Sequence, residues 1–182
     1  VFFLKICLLI YHFLQIYASI RGLMARSAKE ARAAYYQALA MRDPLTGCYS
    51  RAAFELDRAD WDRADDCMVF SIDLNNLKQT NDPFGHSEGD RLISVFGQVL
   101  LQVYSAAGKC YRLGGDEFWV LCRHGTPAQA QALLQAVRQE VDAQSQLYQL
   151  HYPLTYAVGT ASTSEARGNL DQALELADQR MY

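Results

Sequence analysis

The chain has 182 residues, which is enough for one domain with a substantial core and a further segment. Its net charge of −3 excludes a general nucleic-acid binder, because such a protein carries a basic stripe. The cysteines are odd in number and include no C-x-x-C pair, which predicts reduced cytosolic thiols and excludes a disulfide framework or a zinc site. They are Cys7, Cys48, Cys67, Cys110 and Cys122.

The first 24 residues, VFFLKICLLIYHFLQIYASIRGLM, are apolar almost throughout and lack the cleavage site of a signal peptide. A helix of this length can span a bilayer with one polar sector facing other helices. That sector contains Lys5, His12, Gln15 and Ser19. Basic residues follow, as expected on the cytoplasmic side: Arg21, Arg26, Lys29 and Arg32. We predict an anchor in the cytoplasmic membrane over residues 1–24. The alternative is a helix buried in a soluble sensory domain or in a dimer.

Residues 25–42 contain strong helix formers and neither glycine nor proline, which predicts a helical linker. A heptad pattern continues into it from the first segment, but its later positions are mostly alanine, which buries little area. The pattern therefore predicts either a marginal parallel coiled coil or an unpaired, solvated helix. Asp43-Pro44 ends the helix, because the residue before a proline disfavours the helical conformation.

From residue 43 onward, predicted helices and strands alternate. In order, they are a helix from the N-cap Ser50 toward Trp61, a buried strand at 68–73, a loop at 81–85, a helix from about Ser87, a helix from Thr126-Pro127, a strand at 155–161 and a helix at 170–182. Serine is a strong N-cap residue. Thr126, Pro127 and Gln129 form the pattern of a capping box with proline at the first helical position.

Residues 114–118 read Gly-Gly-Asp-Glu-Phe between two β-prone stretches. The glycines predict a tight hairpin turn, because glycine reaches positive φ without steric cost. Asp116 and Glu117 would then lie at the exposed tip of a buried hairpin. A cation or a phosphate-bound metal would be a suitable partner for their charge. Taken alone, these five residues are equally compatible with an ordinary surface hairpin.

Three blocks, in this order and spacing, closely resemble the GGDEF family of diguanylate cyclases. They are DPLTGCYSR from Asp43, MVFSIDLNNLKQTNDPFGHSEGD from Met68, and YRLGGDEFWVL from Tyr111. The resemblance covers residues 43–182. It implies an α/β, ferredoxin-like sandwich of the kind shared by nucleotidyl cyclases and polymerase palm domains. Its central sheet would be mostly antiparallel, and a long N-terminal helix would precede it.

The resemblance implies that two GTP molecules are condensed into cyclic di-GMP and two pyrophosphates. Enzymes catalyse such transfers by positioning and charge neutralisation, with Mg²⁺ (Mn²⁺ as an alternative) as the largest local charge. The family's metal ligands correspond to Asp73, Asp116 and the backbone carbonyl of Leu74. Asp116 would also help to deprotonate the 3′ hydroxyl, and Glu117 would assist in positioning. A structural ion pair is the alternative role for either aspartate.

Further residues correspond to the family's substrate contacts. Lys78 would meet phosphate charge, although a loop lysine by itself is usually solvated. Asn81 and Asp90 match the base-reading pair. A carboxylate accepts both N1–H and the 2-amino group of guanine, whereas adenine presents an acceptor at N1. Asp90 is therefore the expected specificity residue. His86 would be a further substrate contact or would only order the loop.

Two departures from the family pattern bear on activity and its control. The Arg-x-x-Asp inhibitory site of many members is replaced by Ser-Ala-Ala-Gly at residues 105–108. The family's phosphate-binding lysine follows an Ala-Asp-x-x-x-Tyr segment, and here that segment, residues 177–182, ends the chain. Because the chain also begins without methionine and stops within a predicted helix, we expect it to be a fragment. Its C-terminal truncation would weaken its activity, whereas the activity of the full protein need not be weakened.

The sequence thus predicts three parts: residues 1–24 as a membrane helix, 25–42 as a helical signalling linker and 43–182 as a GGDEF domain. The domain would act as a homodimer through the N-terminal helix and linker, since each domain supplies half a site. The alternative function is that of a catalytically inactive GGDEF module, which binds GTP or a partner and acts only in regulation. The full set of motif residues favours the enzyme: Asp73, Asn81, Asp90, Asp116 and Glu117.

Overall fold

The structure is a computed structural model that describes residues 2–64, 66–150 and 152–181. Within the first helix, the side chains of residues 2–10, 33 and 37–39 lie outside the description. The chain divides into two compact units, residues 1–39 and 40–182. Each unit is described separately below.

The first unit is formed by helix α1, Phe2–Ala40, in keeping with the helix formers of the N-terminal segments. Many of its described apolar side chains are exposed: Phe13, Leu14, Ile16, Tyr17, Ile20, Leu23 and Met24. Among the described residues, no helix is long and apolar enough to cross a membrane. The side chains of the first ten residues of the predicted anchor over 1–24 lie outside that description, so the anchor stays a prediction.

The second unit is a five-stranded sheet with helices on both faces. Its elements are β1 (Tyr49–Ser50), α2 (Arg51–Asp62), β2 (Cys67–Leu74), α3 (Leu77–Phe84), α4 (His86–Tyr104), β3 (Gly108–Gly114), β4 (Glu117–Arg123), α5 (Pro127–Leu147), β5 (Tyr156–Ser162) and α6 (Leu170–Met181). The strand order is β1-β3-β4-β2-β5, and only β1 and β3 pair in parallel. The predicted ferredoxin-like sandwich with a mostly antiparallel sheet is confirmed.

Side chains alternate between the two faces of the sheet along each strand, and helices cover both faces. Phe70 and Ile72 of β2 belong to the apolar cluster formed with α4 and α5. Val69, on the other face, belongs to the cluster formed with α2 and α6. Along β2, Asp73 is the one residue that is not fully buried. Strand β2, which lies between β4 and β5, therefore places a carboxylate at the end of the sheet where the hairpin of β3 and β4 turns.

The predicted helix caps are confirmed. The Ser50 side chain accepts a hydrogen bond from the Ala53 N–H at the start of α2. At the start of α5, the Thr126 hydroxyl accepts from the Gln129 N–H, and the Gln129 side chain accepts from the Thr126 N–H. Both caps are local interactions within four residues, which is why the sequence pattern is sufficient to predict them.

The predicted loop at 81–85 is wrong, because most of it belongs to helix α3. The fully buried Thr80 anchors this helix, and both its N–H and its hydroxyl donate to the Asn76 carbonyl. The chain leaves the helical conformation only at Gly85, which has φ 82° and separates α3 from α4. Lys78 and Asn81, which were expected in a loop, therefore lie on a helix.

Candidate active site

The hairpin turn brings two acidic residues, Asp116 and Glu117, to the end of β2, where Asp73 lies. Gly114 pairs with Glu117, so Gly115 and Asp116 form a two-residue turn, with Gly115 at φ 53°. The antiparallel register places Asp73 directly opposite Glu117, and opposed residues of paired strands point to the same face. The Leu74 N–H donates to the Asp116 carbonyl at 3.1 Å. Residues 73, 74, 116 and 117, predicted as one site, are thus neighbours in the structure.

In the part of the chain that the structure describes, the carboxylates of Asp73, Asp116 and Glu117 form no ion pair. Burial raises the pKa of Asp73, and the nearby carboxylates of Asp116, Glu117 and Asp178 raise it further. Like charges directly opposite each other in a sheet are destabilising. Such an arrangement is typical of a functional site, because at neutral pH a bound cation would relieve the repulsion between the ionised carboxylates.

The donor set fits Mg²⁺, which prefers oxygen ligands and needs only one or two protein carboxylates when phosphates and waters complete its shell. Within the described residues, no three His, Cys, Asp or Glu side chains are arranged to hold a metal ion by themselves. That Asp73 and Asp116 hold the ion together with substrate oxygens stays a prediction. The role of the Leu74 carbonyl as a third ligand stays a prediction.

Asp178 is the acidic residue of this cluster that the sequence reasoning did not assign. It lies on α6, which packs against β2 and β5, more than a hundred positions from Asp73. Asp178 and Glu117 also line a cavity of about 330 Å³ whose other walls include Trp119 and Leu174. The only sequence signal for Asp178 is its place in the Ala-Asp-x-x-x-Tyr segment.

The predicted base-reading pair lies where α3 meets α4. The Oδ1 atom of Asn81 is buried and has no hydrogen-bond partner among the described residues. It points at Gly89, where a Cβ atom would collide with it. Asp90 follows Gly89 directly and is exposed. An orphaned buried acceptor beside an exposed carboxylate suits a ligand that offers several N–H donors, but a ligand reaches this acceptor only when the Asn81 amide turns away from Gly89. Gly89, which provides the space, was not predicted as a functional residue.

Lys78 and His86 are less constrained. Lys78 is exposed on α3, and His86 is exposed at the first position of α4. In the part of the chain that the structure describes, neither forms a hydrogen bond or an ion pair with the hairpin carboxylates. Their assignment to substrate phosphate and base stays a prediction.

Comparison with known proteins gives the family. A family model described as "Diguanylate cyclase, GGDEF domain" matches residues 40–182. The chain belongs to the GGDEF domain family. Diguanylate cyclase DgcN of Escherichia coli is 33% identical to it over 161 residues, which are 84% of this chain and 39% of that protein. An uncharacterized protein of Streptomyces griseus is 38% identical over 154 residues, 79% of this chain and 61% of the relative. The chain spans less than two thirds of either protein.

Solved GGDEF structures resemble this one in fold. The GGDEF domain of DgcB from Caulobacter crescentus, solved in complex with c-di-GMP, matches with a TM-score of 0.66 and 26% identity, covering 79% of this chain and 88% of that domain. The coiled coil and GGDEF domain of the same protein match with a TM-score of 0.72, covering 93% of this chain and 92% of that one. At 22% identity the second likeness supports the fold alone.

Proposed function

We propose that the GGDEF domain at residues 40–182 is a diguanylate cyclase that condenses two GTP into cyclic di-GMP, with Mg²⁺, in a homodimer. The observation that carries the proposal is the uncompensated group of carboxylates around Asp73, with Asp116 and Glu117 on the adjoining hairpin. A site that needs a cation at the end of this sheet suits the transfer of a nucleotidyl group, because the triphosphate brings both the metal and further negative oxygens.

The reaction consists of two equivalent steps. In each, the 3′ hydroxyl of one GTP attacks the α-phosphorus of the other, a new P–O bond forms, and the bond to pyrophosphate breaks. The hydroxyl proton is transferred to a base, and Asp116, in the hairpin turn, is the residue we assign to that role. When bound, the metal would neutralise charge on the phosphates. Glu117 would orient the reacting groups from the neighbouring position.

The guanine base of GTP would be bound where α3 meets α4. The Asp90 carboxylate would accept N1–H and the 2-amino group of guanine, and the unpartnered Oδ1 of Asn81 would accept a further N–H. Lys78 and His86, both exposed on the adjoining helices, would contact phosphate and base. Each of these roles corresponds to the family motif at that position.

Each domain offers one GTP site, so cyclisation requires two domains with their sites facing each other. Helix α1 exposes large apolar side chains along much of its described length, including Phe13, Tyr17, Ile20 and Met24. Such surface normally contacts a partner. We propose that a second copy of α1 covers it. An anchor in the cytoplasmic membrane over residues 1–24 would hold both copies with their catalytic domains in the cytoplasm.

The test is detection of the product by mass spectrometry after the chain is incubated with GTP and Mg²⁺. Cyclic di-GMP and two equivalents of pyrophosphate are expected, and omission of the metal should abolish both. An Asp73→Asn variant serves as the negative control. Binding of GTP without any product would favour the alternative of a catalytically inactive regulatory module.

Product inhibition at the usual surface is not expected. Residues 105–108 follow α4 and reach the first residue of β3, and they lack the arginine and aspartate that pair with phosphate and guanine. A Cβ at Gly108 would collide with the Leu121 carbonyl oxygen, so an aspartate does not fit there without a backbone shift. Calorimetry should therefore find cyclic di-GMP binding weaker than micromolar. Micromolar or tighter binding that is lost in Ser105→Glu would contradict this prediction.

A further inference from the structure

Arg112 on β3 connects the catalytic hairpin to the segment that follows α1. Its guanidinium Nη1 donates to both carboxylate oxygens of Asp43, at 3.0 and 3.1 Å. Its Nε and Nη2 donate to the carbonyl of Gly115, at 3.1 and 2.8 Å. The two side chains of this pair are only 12% and 19% exposed, so solvent screens them less than a surface pair.

The Gly115 carbonyl belongs to the peptide group that contains the Asp116 N–H. Arg112 therefore fixes the peptide on one side of Asp116. The peptide on the other side is fixed as well, because the Asp116 carbonyl accepts from the Leu74 N–H at 3.1 Å. Glycine at 115, with φ 53°, gives this turn little conformational preference of its own. The direction of the Asp116 side chain thus depends on these two outside contacts.

Asp43 is itself held in place. Its Oδ1 accepts from the Thr46 N–H at 2.9 Å and from the Thr46 hydroxyl at 2.7 Å. Burial alone would raise the pKa of Asp43, but hydrogen bonds from Thr46 and Arg112 outweigh it and lower the pKa. The carboxylate is therefore charged and oriented at neutral pH. It follows α1 closely in the chain, and no metal or substrate contact is assigned to it.

We propose that Arg112 is a positioning residue for catalysis: it orients the Gly115–Asp116 peptide, and Asp43 makes that orientation depend on the segment joining α1 to the domain. The catalytic part of this proposal rests on the proposed diguanylate cyclase function. Arginine is suited to the task because its planar fork reaches two acceptors at fixed angles. A lysine would keep the charge but has no such fork.

The test compares Arg112→Lys, Arg112→Gln and Asp43→Asn with the matched control Arg123→Gln. Arg123 lies at the far end of β4 and also donates to a backbone carbonyl, that of Asp60. Two quantities are measured on the full chain: kcat and KM for GTP, and amide hydrogen exchange at Leu74. The amide of Phe70, in the middle of the same strand, reports global unfolding.

Both Arg112 variants should lower kcat by about tenfold to a hundredfold, because a displaced catalytic group loses its alignment. KM for GTP should change by less than about twofold, since the base is held elsewhere. Exchange at Leu74 should accelerate by about tenfold, the effect of weakening one hydrogen bond, with Phe70 unchanged. Asp43→Asn should shift both readouts in the same direction, and Arg123→Gln neither.

A normal kcat in Arg112→Lys would overturn the proposal, because charge alone would then suffice. Parallel acceleration at Leu74 and Phe70 would also overturn it, by showing that Arg112 acts on global stability only. If the unsubstituted chain makes no cyclic di-GMP, the proposed function fails, and hydrogen exchange alone then decides whether Arg112 holds the hairpin.

Discussion

Asp73→Asn and Asp116→Asn are each expected to lower the rate of cyclic di-GMP formation by at least about a thousandfold, because loss of a metal ligand removes several kcal/mol of transition-state stabilisation. Asparagine keeps the size and shape of the side chain, so only charge and metal affinity change. The matched control is Asp60→Asn on α2, an exposed carboxylate beside the opposite end of β4 from the hairpin turn. Near-normal activity of either variant, with folding verified by circular dichroism, would refute the metal assignment.

Asp73→Asn should leave the free energy of unfolding unchanged or increase it. The folded-state pKa of Asp73 is raised, so its ionised form costs stability at neutral pH. That cost disappears as the pH falls through the raised pKa toward the ordinary value. Asp43 behaves in the opposite way, because its lowered pKa contributes stability that is lost on acidification through that pKa.

Thermal denaturation with and without Mg²⁺ and a GTP analogue tests this reasoning independently of turnover. The melting temperature of Asp73→Asn at pH 7 should equal or exceed that of the unsubstituted chain. The metal and nucleotide together should raise the melting temperature of the unsubstituted chain, because a ligand that binds only the folded state stabilises it. That increase should be smaller in Asp73→Asn. A large destabilisation by the substitution would instead indicate a structural role for Asp73.

GTP is expected to be used in preference to ATP by a factor of about 10⁴ in kcat/KM, since a site built to accept N–H donors rejects a base that lacks them. Adenine places an acceptor at N1, opposite the Asp90 carboxylate, and would leave Asn81 Oδ1 unpaired. Asp90→Asn should lose most of this discrimination. The control is Asp82→Asn, an exposed carboxylate on α3 with no assigned role. Comparable turnover of the two nucleotides would show that the base is recognised elsewhere.

A substitution at Gly89 tests the role of Asn81 in base recognition. In Gly89→Ala the new methyl group would displace the Asn81 amide, so KM for GTP should rise by about tenfold, the effect of one lost hydrogen bond. Asn81→Ala should have a similar effect. The double variant should be no worse than Asn81→Ala alone, because the methyl group acts only through Asn81. Additive losses would mean that Gly89 and Asn81 affect the site independently.

The sequence alone was sufficient to predict the features that depend on residues close together in the chain. Capping by Ser50 and by Thr126, the buried strand that ends at Asp73, and the glycine turn of the hairpin are all encoded within a few positions. The three motif blocks, read together, predicted both the fold and the family. They also named three of the acidic residues that the structure brings together at the end of β2: Asp73, Asp116 and Glu117.

Tertiary structure decided what depends on contacts between distant residues. The turn-forming residues of 81–85 predicted a loop, but burial of Thr80 makes α3 a helix. Asp178 raises the pKa of Asp73 because α6 packs on β2, and Arg112 reaches Asp43 and Gly115 because β3 leads into the turn. The physical reason is the separation in sequence. Caps and turns are stabilised by hydrogen bonds between residues a few positions apart, whereas these charged side chains come together only when the strands are in register and the helices are packed.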